Sequence, residues 1–185
     1  MKDRCPWAKD SNPLLVSYHD TEWGRPVYDD QKHFEILCLE GQQAGLSWEI
    51  ILKKREAYRK IFHQFDPKKV AVMTDEQLLI ATQNKEIVRN KLKVFSIRKN
   101  ARSFLTLQSE EGSFNRYIWN FVGGCPLQCL EMRSFSPESV EISKGLKKRG
   151  FSFVGPTIIY SYLQAAGLTS DHTPNCFLSK PALPQ

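Results

Sequence analysis

An all-α fold is what the sequence predicts, on three observations. Apolar residues recur at helical spacing through most of the chain, with few alternating stretches. Helix start signals such as Thr74 with Gln77 and Ser136 with Pro137 stand ahead of those segments. Glycines at 45, 150 and 167 fall where the periodic patterns stop.

In chain order, Asp30 can cap a segment in which Phe34, Leu37, Cys38 and Gly41 share one face, with Gly45 ending it. A second helix starting at Ser47 carries Ile50, Ile51, Tyr58, Ile61 and Phe62 inward. Thr74 and Gln77 form a capping box for a short helix. Val88, Leu92, Phe95 and Phe104 mark a long amphipathic segment over about residues 89–107. Ser113 opens a helix with Phe114, Tyr117, Ile118 and Phe121 inward, and Ser136-Pro137 opens another that Gly150 ends. The last helix covers 156–166 and Gly167 closes it. The Gly-Gly-Cys-Pro start of 123–135 predicts a loop.

The 185 residues suffice for one sizeable domain over 1–180, built as two closely packed lobes, with a flexible tail at 181–185. A hydrophobic fraction of 41% and a charged fraction of 25% belong to a globular chain without low-complexity tracts. No apolar run approaches the roughly 20 residues of a membrane helix, and the first residues are no signal peptide, so the expected place is the cytoplasm. Five cysteines, an odd number, suit reduced thiols better than a disulfide framework. The net charge of +6 favours a polyanionic partner.

Two features carry chemistry. Cys5 and His19 near the start, with His172 and Cys176 near the finish, form a set that can close a tetrahedral zinc site joining the two ends; ordinary buried Cys and His are the alternative. A competing pair, Cys125 and Cys129, lies in the Gly/Pro loop. The second feature is Glu40, at the margin of the apolar face set by Phe34, Leu37 and Gly41, where a carboxylate is partly desolvated. Gly41, Ala44 and Gly45 permit close backbone approach, and Trp48 offers a flat face. Tyr18 directly precedes His19, Trp7 lies beside Cys5, and Trp23 completes an aromatic cluster that core packing also explains.

These residues carry a family resemblance. Tyr18-His19-Asp20-Thr21-Glu22-Trp23-Gly24, Leu39-Glu40-Gly41-Gln42-Gln43-Ala44-Gly45-Leu46-Ser47-Trp48 and Leu146-Lys147-Lys148-Arg149-Gly150-Phe151-Ser152-Phe153-Val154-Gly155 resemble the 3-methyladenine DNA glycosylase I family. So does Gln164-Ala165-Ala166-Gly167-Leu168, followed by Asp171-His172 and Cys176, and the similarity runs in order over nearly the whole chain. The resemblance implies a helix-hairpin-helix glycosylase with a structural zinc that excises N3-methylated adenine from double-stranded DNA, with no obligatory protein partner. Matched position by position, Cys5, His19, His172 and Cys176 correspond to the zinc ligands, and Glu40, Tyr18 and Trp48 to the base pocket, with Glu40 the residue expected to carry catalysis by binding the base. Trp7 and Trp23 are expected beside that pocket, and Leu46, between Gly45 and Ser47, is the candidate wedge for the vacated stack.

Arg89, Lys91 and Lys93 are the expected phosphate contacts, with Lys147, Lys148 and Arg149 second. A solvated helix face is the other reading of these cations. The usual Gly-rich hairpin is absent, since no glycine stands between Ala81 and Arg102, so Asn84 or Asn90 is expected to supply a left-handed residue. No Asp lies between Asp75 and Asp171, where many glycosylases of this superfamily carry a catalytic one. A cationic leaving group needs little acid–base assistance, and no lysine is a pocket candidate, which predicts a monofunctional enzyme. The competing classes are a non-catalytic lesion binder and a zinc-stabilised interaction domain.

Overall fold

Side-chain caps open most of the helices, each contributing about 1 kcal/mol. The computed structural model describes residues 3–9, 12–128 and 133–179. Helix α1, Pro13–Thr21, has Pro13 in its first turn and Asn12 Oδ1 accepting from the Leu15 amide. This helix is not among those the sequence predicts. Helix α2, Asp30–Gln43, begins one residue earlier than expected: Asp29 is the cap, and Asp30 instead accepts from the Phe114 and Asn115 amides across the core. Helix α3, Trp48–Ile61, follows Ser47 and leads into a 3-10 turn at His63–Phe65. The short α4, Pro67–Ala71, is capped by Asp66, and α5, Asp75–Gln83, by the expected Thr74–Gln77 box.

Helix α6, Lys91–Glu111, is capped by Asn90; α7, Phe114–Asn120, by Ser113; α8, Pro137–Lys148, by Ser136. Helix α9, Pro156–Ala165, is the last. The expected loop at 123–135 is not wholly irregular: β1, Leu127–Gln128, pairs in parallel with β2, Thr169–Ser170. Cys129, and with it the competing metal pair, lies outside the described residues, as does the tail at 181–185.

Helix α2 is the central element. It packs against α3, α6, α7 and α9, and its residues 33–42 are all buried. Phe34 meets Phe104 at 5.1 Å between ring centroids, and Phe104 stacks on Phe114 at 4.5 Å. His33 is buried beneath them, bonded to the Tyr162 hydroxyl at 2.7 Å and to Asn115 at 3.2 Å. Two expected inward residues face out, Leu92 at 74% and Ile50 at 37% exposure. Leu92 belongs to the first turn of α6, whose buried stripe runs through Val94, Ile97, Ala101 and Phe104. Among the described residues, no helix is long and apolar enough to cross a membrane.

Candidate active site and metal centre

Helix α1 delivers two adjacent side chains to different tasks, both buried: Tyr18 toward a cleft and His19 toward the chain's other end. The ligand atoms of Cys5, His19, His172 and Cys176 lie within 4.8 Å of one another. Cys5 Sγ is 3.5 Å from His172 Nδ1, and Cys176 Sγ is 3.5 Å from both His19 Nε2 and His172 Nδ1. A tetrahedron with Zn–S bonds of about 2.3 Å and Zn–N bonds of about 2.0 Å has N···S edges of about 3.5 Å. These three N···S separations are those expected of a tetrahedral Cys2His2 metal site.

Its surroundings fit as well. His19 Nδ1 is 2.8 Å from Asp20 Oδ1, which leaves Nε2 as the ligand atom. Arg4 grips Asp20 with bonds of 2.8 to 3.1 Å, and this hydrogen bonding holds the Asp20 pKa down to about 2. The Thr173 and Leu178 amides donate to the two sulfurs, an arrangement suited to thiolates. Gly24 belongs to the same design: its φ is +75°, and a Cβ there would sit 2.8 Å from His172 Nε2.

Against this cluster lies a cleft of about 480 Å³ lined by Pro6, Trp7, Tyr18, Trp23, Glu40, Gln43 and Trp48, with Cys5 and Thr173 in the shared wall. The Trp7 and Trp23 rings meet edge to face at 5.1 Å, and Tyr18 lies 5.4 Å from Trp48. All five aromatic and acidic residues expected at a base pocket thus line one cavity. Sequence reasoning missed Gln43, Ser161, Gln164 and Asp171 there. Gln43 had a signal, being three residues after Glu40 on the same helical face; the other three arrive through tertiary folding. Asp171 is engaged, accepting from Tyr160, Gln164 and Thr169 at 2.6 to 2.7 Å.

Glu40 is 4% exposed, and among the described residues no hydrogen bond or ion pair reaches its carboxyl. Burial pushes its pKa up to about 8. Tyr18 is raised well above its ordinary value by burial, with the Glu40 charge adding to it. Trp48 Nε1 is buried without an acceptor. A buried polar atom left unpaired is uncommon, and Trp48 Nε1 together with the Glu40 carboxyl, both lining one aromatic cleft, marks a place for a ligand. Gly41 lets α2 approach the 151–155 segment closely, since a Cβ there would stand 3.2 Å from Phe153 Cβ.

Leu46 lies exposed in the turn between α2 and α3. Arg89 and Lys91 are exposed where the 84–90 segment enters α6. Lys93 is not: it is 7% exposed, and its ammonium bonds the Gln42 and Ala44 carbonyls, so it is withdrawn from any phosphate. The expected left-handed asparagine is likewise absent. Asn84 has φ −71° and Asn90 φ −131°, both extended, and each accepts a nearby amide through its side chain. In the second basic run, Arg149 is occupied by Glu110 and Glu111.

Comparison with known proteins agrees with this geometry. The profile of the methyladenine glycosylase family matches residues 7–179. A DNA-3-methyladenine glycosylase of Haemophilus influenzae is 45% identical over 181 residues, covering 95% of this chain and 97% of that protein. A crystal structure of a 3-methyladenine DNA glycosylase I superposes with a TM-score of 0.93 at 46% identity, covering 96% of this chain and all of that one. A variant of such an enzyme solved in complex with 3-methyladenine gives 0.90 at 36% identity, covering 94% and 96% of the two chains. The chain belongs to the methyladenine glycosylase family.

Proposed function

We propose that this protein is a monofunctional glycosylase that flips N3-methyladenine out of duplex DNA and hydrolyses its N-glycosyl bond. The observation that carries the reading is the unpartnered, buried Glu40 carboxyl beside the Trp48 and Tyr18 rings in an open cleft. A carboxyl that burial holds neutral is ready to ionise against a positive ligand, and N3-alkylation gives adenine that charge. Stacking on Trp48 adds a cation–π contribution of about 0.5 to 2 kcal/mol. The relative whose structure contains 3-methyladenine supports the choice of base.

In the chemical step, the electrons of the bond between the sugar C1′ and the base N9 leave with the base, which becomes neutral; water adds at C1′ and gives up a proton. Charge is lost from the base along this path, so Glu40 contributes through recognition and orientation. The pre-existing positive charge supplies the leaving-group activation. Helices α5 and α6, with 84–90 between them, serve as the family's helix-hairpin-helix grip on phosphates through Arg89 and Lys91, and Leu46 fills the vacated stack. Zinc held by Cys5, His19, His172 and Cys176 is structural, since four protein ligands leave no open position for water.

Release of free 3-methyladenine from methylated duplex DNA by the purified protein tests this reading. Duplex binding without release would make the protein a lesion binder. Absence of salt-sensitive DNA affinity would make it an interaction domain.

A further inference from the structure

Helix α2 ends at Gln43, whose carbonyl accepts from the Leu46 amide at 2.6 Å, while the cap residue Ala44 returns no amide bond to the helix. The Gln42 and Ala44 carbonyls on either side find another partner. Lys93 Nζ, arriving from the first turn of α6, donates to Gln42 O at 2.8 Å and to Ala44 O at 2.6 Å, a cation on the negative pole of the helix. No carboxylate among the described residues pairs with it. The bond is reciprocated, because Gln42 Nε2 donates to Lys93 O at 2.9 Å. Tyr58 in α3 extends the set: its hydroxyl donates to Gln42 Oε1 at 3.2 Å and accepts from the Val88 amide at 3.1 Å.

We propose that Lys93 is a positioning residue that holds the base pocket and the wedge turn at a fixed offset from the phosphate-gripping segment, so that a nucleotide gripped there is delivered to the pocket in register. The bonded atoms bracket the functional ones. Gln42 and Ala44 stand between Glu40 and Leu46, with the pocket residue Gln43 between them. On the other side, Lys93 and Val88 flank Arg89 and Lys91. Neither exposed cation reaches the pocket; the buried one joins the two regions. Buried polar networks of this kind specify one geometry, and a misplacement of about 1 Å can cost roughly 100-fold in rate.

The inference rests on the function proposed above, and Lys93→Met tests it, keeping the aliphatic stem while removing the donors. At a temperature where both proteins are fully folded, binding of free 3-methyladenine, binding of undamaged duplex, and single-turnover excision from methylated duplex at saturating enzyme are compared. Expected are affinities for base and duplex within about twofold of the native protein, with excision slowed roughly 10- to 100-fold. Wild-type excision would overturn the inference, and so would a loss of base affinity matching the loss of rate, since that places the effect inside the pocket. Should Lys93→Met fail to fold, Tyr58→Phe breaks the same frame at its other joint and should show the same split, at roughly 3- to 10-fold. If the native protein releases no base, the functional reading fails instead.

Discussion

Glu40 makes the pocket's stability and its selectivity depend on pH in opposite senses. An unperturbed Glu titrates at 4.5, whereas this one does so at about 8. Between those values the folded protein keeps a proton that the unfolded chain has released, so stability falls as pH rises through the window and levels off above it. Replacing the carboxyl with an amide removes the effect. Glu40→Gln should therefore gain stability over the native protein by about 1.4 kcal/mol per pH unit across this range, read from thermal melts at pH 5 to 9. Over the same range the native protein should bind cationic methylated purine more tightly as pH rises, because ionisation of Glu40 becomes easier, while Glu40→Gln binds weakly throughout. A stability difference that does not change with pH would show that Glu40 is already ionised in the folded protein, and the predicted rise of base affinity with pH would disappear with it. The metal assignment has its own residue test: Cys176→Ala should lose zinc stoichiometry, and Cys129→Ala should retain it.

At the scale of elements, caps were the legible signals and phase was the weak one. The Thr74, Ser113 and Ser136 caps stand where the sequence placed them because a short polar side chain next to a periodic apolar run has few other uses. Helix α1 is not legible in the sequence although Asn12-Pro13 is a legitimate start, because its nine residues are too few to show a sustained helical period. Among Arg89, Lys91 and Lys93, the sequence could not tell which cation turns inward; that depends on where α2 leaves its carbonyls unmet. With Lys93 buried, two exposed cations remain to set the salt response. Two phosphate contacts account for about 1.8 units of slope in log affinity against log salt, so Arg89→Gln with Lys91→Gln should flatten the dependence by that amount for any duplex sequence. An unchanged slope would move the grip elsewhere, first to Lys147 and Lys148.

Across the whole molecule, the candidate cleft was legible in part because Tyr18 and Trp23 stand in one short string and Glu40 and Trp48 in another, whereas Ser161, Gln164 and Asp171 join it only when α9 and the strand after it fold against the N-terminal segment. In the zinc-bound form proposed above, the Cys/His cluster performs that closure. The bound metal ties Cys5 to Cys176, so in a chain-entropy view the cross-link is worth about 5 kcal/mol, or roughly 10 to 20 °C in melting temperature at 2 to 4 °C per kcal/mol. Its position predicts more than a loss of stability. Trp7 and Tyr18 each stand beside a proposed ligand residue, and Cys5 and Thr173 form part of the pocket wall, whereas α5 and α6 meet the rest of the core through α4, α2 and α7. Chelation that demonstrably strips the metal, at a temperature where helical content survives, should therefore lower affinity for free 3-methyladenine by more than about tenfold, equivalent to 1.4 kcal/mol, while undamaged-duplex affinity stays within a few-fold. Equal losses of both would mean that metal holds the global fold rather than the pocket wall; retention of base binding in metal-free protein would separate the cluster from recognition altogether.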